Sequence, residues 1–211
     1  MVTDKLSIYN GALRELGETP LSTLTDARAA RRTLDAFYTD ALKYCLEIGL
    51  WTFAERTLKL ENSTSFTPAF GYQYFFDKPN DYENLCGIWT DEYLRHPLGS
   101  GYDEDKNGWY ADVNEIYVKY VSNDTSYGYN LGIYPASYKL FLERHLAFLC
   151  APEITKSITK TDKIERRAKI AERTAKNSNA RSKPVRSLPS GSWVNARHFG
   201  YADQTGHYKR Y

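Results

Sequence analysis

The groups able to carry chemistry are few and scattered: His96, His145, His198 and His207, the cysteines Cys45, Cys86 and Cys150, and one tight acidic run, Asp103-Glu104-Asp105. A histidine can serve as a general base and a cysteine as a nucleophile or metal ligand, but each needs a partner within reach. The cysteines lie far apart with no CxxC spacing, which reads as thiols buried or partly buried in a reducing compartment. His145 falls on an apolar helical face, the setting of a packed imidazole. The acidic run could bind a hard cation through its oxygens. It sits in a Gly-rich stretch without regular ligand spacing, and reads instead as a solvated loop tip. HExxH, GxSxG, GxGxxG and Walker-type loops do not occur, and no carboxylate pair stands out for glycoside hydrolysis. The expectation is a non-catalytic protein with no metal and no cofactor.

Composition points to assembly. The 211 residues include 18 Tyr, 9 Phe and 4 Trp, and Tyr and Trp combine a broad apolar face with a polar tip that suits interfaces. Hydrophobic content of 42% supports a packed core. The net charge of +2 hides a division. Residues 160–211 carry 13 Lys/Arg against 4 Asp/Glu, a balance of +9, while residues 1–159 carry 15 against 22, a balance of −7. An acidic body with a basic end implies an acidic partner for that end, either nucleic acid or another protein. With no basic-then-apolar leader and no long apolar run, the chain is expected to be made in a cytoplasm and to be soluble.

Periodicity supplies the elements. Asp4 is placed to cap a helix carrying Leu6, Tyr9, Leu13 and Leu16, with Gly17 as its stop. Asp26 is placed to cap a second, with Leu34, Phe37, Tyr38, Ala41, Cys45 and Ile48 on one stripe and Gly49 at its end. From Trp51 the period changes to alternation through Thr57-Leu58-Lys59-Leu60, and further β-type runs follow at 72–76, 85–89, 91–98 and 115–121. Residues 99–108 read as an acidic hairpin tip. Helical spacing returns at Pro135 with Tyr138, Phe141, Leu142, His145, Leu146 and Leu149, and Pro152 is expected to break it. A charged helix follows from Asp162, with Ile164, Ala168, Ala171 and Ala175 as a thin stripe that permits close helix approach.

The predicted fold class is therefore α+β, mainly α: an antiparallel helical bundle (helices 3–17, 27–48, 136–150 and 162–177), an inserted antiparallel β region at about 51–121, and an extended C-terminal arm. Residues 1–179 form the main domain and 180–211 the arm. The arm lacks any period and cannot build a core by itself. Its end interleaves Trp193, Phe199, Tyr201, Tyr208 and Tyr211 with Arg197, Lys209 and Arg210, which makes these residues candidate anchors on a partner.

Taken in order, ALRELGETPLSTL, ARRTLDAFYTDAL, the run from Trp51 through TFAERTLKL, PAFGYQYFFDKPNDYENLCGIW (68–89) and YPASYKLFLERHLAFLCAPEITKS (134–157) resemble the tail tubular protein A family of short-tailed phages and the wider head-to-tail adaptor proteins. The resemblance spans roughly residues 5–175, and the arm at 182–211 departs from it. It implies a dodecameric ring between the portal protein and a tail nozzle protein, which extends the DNA channel of the virion. In such a ring the arm is expected to reach up the portal surface, and the β insertion or its tip bearing Tyr102, Asp103, Glu104 and Asp105 is expected to face the next tail component. DNA would slide past an acidic wall without sequence-specific binding, since a strongly basic lining would hold phosphates. The alternative reading is a nucleic-acid-binding protein that uses its basic C-terminal tail.

Overall fold

Asp4 opens the first helix as its position predicts: its carboxylate accepts from the Ser7 amide at 2.7 Å, and the Ser7 hydroxyl answers the Asp4 amide. This helix, α1 (Lys5–Leu16), ends at Gly17 in the left-handed conformation, φ 79°. Asn10 then pins the connector by exchanging hydrogen bonds with both backbone groups of Leu21. The second helix, α2 (Ala29–Glu47), does not use Asp26 as its cap. That carboxylate is taken up by the amide and Nε of Arg28, and the helix starts with no side-chain cap.

The computed structural model describes residues 3–183, which form an α+β fold of four helices and two small antiparallel sheets. The strands are β1 (Glu55–Glu61), β2 (Tyr74–Asp77), β3 (Tyr82–Trp89), β4 (Tyr102–Glu104), β5 (Gly108–Ala111) and β6 (Glu115–Ser122). One sheet has the order β1-β6-β3 and the other β2-β5-β4. The alternation in β6 sends Ile116, Val118 and Tyr120 inward, where they meet Ile88, Phe76 and Trp109 in a sheet core. The piece at 91–98 is a turn rather than a strand. Asp91 accepts from the Arg95 and His96 amides, and the lone bridge there joins Trp89 to Pro97. The acidic run lies in the hairpin of β4 and β5, but residues 99–108 are not all its tip: Asp103 and Glu104 are paired within strand β4, and only residues 105–107 make the turn.

Two helices complete the chain, α3 (Ala136–Thr155) and α4 (Ile158–Ser182). α3 is packed by α1, α2 and α4, so its buried positions (Tyr138, Phe141, Leu142, Leu146, Ala147, Cys150, Ala151) spread around more than one face. Pro152 lies inside this helix and does not end it. A proline forfeits one backbone hydrogen bond, and a helix held on three sides continues past that loss to Thr155, whose hydroxyl donates to Ala151 O at 2.8 Å. α4 accordingly starts at Ile158 rather than Asp162. Its first turn carries no buried residue, and Ile158 is 84% exposed, so no apolar period announces it. Ile164, Ala168, Ala171 and Ala175 are its buried stripe. Glu15 joins three helices by accepting from Arg144 at 3.0 Å and Arg167 at 3.1 Å.

Candidate assembly surfaces

Helices and sheets meet at Trp51. Its ring is 1% exposed, its Nε1 donates to Cys45 O at 2.8 Å, and it packs edge-on against Tyr138 at 4.8 Å. The last turns of α4 are fastened to the same junction. Asn179 Oδ1 accepts from the amide and hydroxyl of Thr52 (2.9 and 3.0 Å), and its Nδ2 donates to Leu50 O at 2.7 Å. Lys183 reaches Glu55 Oε1 at 2.6 Å, and Lys119 pairs with the other oxygen. Burial would raise the Glu55 pKa, but the two ammonium groups outweigh it and hold the carboxyl below its ordinary range. These contacts fix where the chain leaves α4. The helix runs to Ser182, a few residues into the segment assigned to the arm.

The arm residues Trp193, Arg197, Phe199, Tyr201, Tyr208, Lys209, Arg210 and Tyr211 lie outside the described residues.

The hairpin residues have distinct surroundings. Tyr102 is half-buried and packs against the sheet core. Glu104 is engaged by Lys78 at 2.7 Å and by the Tyr82 hydroxyl at 3.2 Å. Asp105 shapes the turn, with Oδ1 accepting from the Asn107 and Gly108 amides and Oδ2 from the Tyr110 hydroxyl. Asp103 is exposed and forms no ion pair among the described residues. Beside the turn is a groove of about 510 Å³ lined by Phe66, Phe75, Asp77, Asp105, Asn107 and Tyr110. Five of these six lining residues (Phe66, Phe75, Asp77, Asn107, Tyr110) were not singled out in the sequence. The signal was the alternation in Tyr74-Phe75-Phe76-Asp77, which places Phe75 and Asp77 on the face opposite Phe76.

A second exposed surface runs along α4 through Lys163, Arg166, Ile170 and Arg173. Ile170 is 60% exposed, and the three cations form no ion pair among the described residues.

His198 and His207 lie outside the described residues. His145 stacks on Tyr44 with centroids 4.5 Å apart, and burial lowers its pKa, which favours the neutral ring. Burial pushes the Cys86 thiol up to about 11 and Cys150 up to about 12, away from the reactive thiolate. A cavity of about 360 Å³ contains Cys86 beside Glu55, Trp89, Lys119 and Lys183, where the carboxylate is held ionised and the thiol protonated. Among the described residues no cluster of three or more His, Cys, Asp or Glu could hold a metal, and no helix is long and apolar enough to cross a membrane. No family model matches the sequence, and no curated protein does either.

Proposed function

We propose that this chain is a structural, non-catalytic head-to-tail adaptor of a phage particle, one subunit of a ring that joins the portal to the tail nozzle and extends the DNA channel. What supports the reading most is how the resembling segments fall on the fold. ALRELGETPLSTL covers the end of α1 and its connector, ARRTLDAFYTDAL lies in α2, residues 68–89 hold β2 and β3, and residues 134–157 hold α3. The helices around α3 act as the bundle, and the two sheets as the insertion between its second and third helices. The aromatic and basic residues past Lys183 bind the portal. Repetition around a ring strengthens a modest contact, because each docking becomes effectively intramolecular once neighbouring copies are seated.

Deleting residues 184–211 tests the arm. The four helices and six strands of the described residues 3–183 are all kept, so the truncated chain is expected to stay folded by circular dichroism and to lose portal binding in a pull-down. Binding at the full-length level would remove the arm from the interface. The nucleic-acid reading rests on the cations of α4 and the C-terminal tail. It requires DNA affinity that falls steeply with salt.

A further inference from the structure

The outer face of the β2-β5-β4 sheet is unlike an ordinary solvated sheet face. The register pairs Phe75 with Tyr110, Asp77 with Gly108, and Asp103 with Tyr110, so these five share one face, opposite the buried Phe76 and Trp109. A Cβ on Gly108 would lie 2.5 Å from the Phe75 ring and 2.2 Å from Phe76 O. The bare glycine is what lets that ring lie down across β5. Phe66 reaches over from the preceding loop and meets Phe75 edge-on at 4.9 Å, and Phe75 meets Tyr110 at 4.9 Å. Phe66 remains 46% exposed and the nearby Phe70 91% exposed. Such side chains lose hydrophobic stabilisation unless something covers them.

The rim of the groove is acidic. Asp77 is exposed and forms no ion pair among the described residues, and Asp103 shares that condition. Asp105 is held ionised by the amide groups of Gly108 and Asn107. Lys78 is already bound to Glu104 and to Asp105 O. Lys106 stands in the turn itself.

We propose that this groove docks an arginine-bearing segment of the next tail component. The identity of the bearer rests on the adaptor reading; the chemistry rests on the groove. A guanidinium is planar, weakly hydrated and forked, so it stacks on an aromatic ring while hydrogen-bonding a carboxylate. The groove offers both at once, with Phe66 and Tyr110 as the apolar wall and Asp77 as the acceptor. A lysine ammonium would use the carboxylate but less of the wall. A neutral glycan would use the wall and leave the carboxylates without counter-charge.

The test is isothermal titration of the full chain with an acetylated tri-arginine peptide, alongside tri-lysine, its uncharged isostere tri-citrulline, and a neutral oligosaccharide. Tri-arginine is expected to bind best, and tri-citrulline to show no saturable binding. Asp77→Asn and Phe66→Ala should each weaken tri-arginine by about tenfold, while Asp162→Asn on α4 leaves it unchanged. Both groove residues are exposed, so circular dichroism should report unaltered folding. Absence of tri-arginine binding, equal affinity in the groove variants, or preference for the oligosaccharide would overturn the proposal. Groove variants that bind normally while the chain remains in particles would sink the groove alone. A groove that binds arginine in a protein missing from particles would sink the adaptor reading alone.

Discussion

Replacing Trp51 by alanine is expected to destabilise the folded chain by about 3–5 kcal/mol, the range for removing a fully buried large aromatic. The indole fills the corner where α2 ends, the 3₁₀ turn at Thr52–Ala54 begins, and Tyr138 and Phe141 of α3 converge, at 4.8 and 6.3 Å. Its N–H also satisfies Cys45 O. The loss therefore combines a cavity, a missing aromatic contact and a missing hydrogen bond. Urea denaturation followed by circular dichroism reads the shift in midpoint. A change below about 1 kcal/mol would mean that the corner collapses around the void. Trp51→Phe should fall between, since it keeps an apolar ring and drops the donor.

The second large effect is expected at Asp81. Its carboxylate accepts from Arg56 at 2.9 Å, from the Tyr120 hydroxyl at 3.0 Å, and from the fully buried Ser122 hydroxyl. One side chain thus ties β1 and β6 to the turn before β3. Asp81→Ala leaves those donors facing an empty corner and should cost about 2–4 kcal/mol, because buried groups stripped of a partner lose more than the net value of the bond. The effect carries a pH signature. Burial would raise the Asp81 pKa, but the bonds from Ser122, Arg56 and Tyr120 prevail and hold it below the ordinary aspartate value. A depressed carboxyl stabilises the fold above its unfolded pKa, about 3.9, and loses that contribution as pH falls through its folded value. The stability gap between the native chain and Asp81→Ala should therefore be full at neutral pH and shrink below about pH 4. A gap independent of pH in that range would show that the carboxylate's charge contributes nothing.

The first helix was legible in the sequence because its signals are local: Asp4 and Gly17 each act within one turn. Strands β1 and β6 were legible for the same reason, since alternation is a nearest-neighbour property, whereas β4 lay in the segment read as a loop tip and β5 was not read as a strand. The misreadings came from side chains with more than one possible partner. Asp26 had the composition of a cap but bonds Arg28 instead. Pro152 had the composition of a breaker, and tertiary packing around α3 outweighs the bond it removes. The start of α4 lacked any apolar period, and no reading of periodicity would find it.

The assembly surfaces were legible only in part. The acidic run at 103–105 was visible, yet its members serve different ends: Glu104 pairs with Lys78, Asp105 builds the turn, and Asp103 stays free of ion pairs among the described residues. The groove was not visible, because it forms from Phe66 in a loop and from Phe75 and Tyr110, residues brought together by strand pairing. Asp81 belongs with these long-range cases. Its partners lie 25, 39 and 41 residues away in the chain.

The proposed adaptor function requires many copies of this polypeptide to line a passage between capsid and tail. Electron cryo-microscopy of the purified particles tests it most directly. The account predicts a closed ring at the head–tail junction into which residues 3–183 fit, with Lys183 directed toward the portal and the β4–β5 hairpin toward the nozzle. Particles whose junction contains no such ring, and whose protein inventory by mass spectrometry lacks this chain, would contradict it.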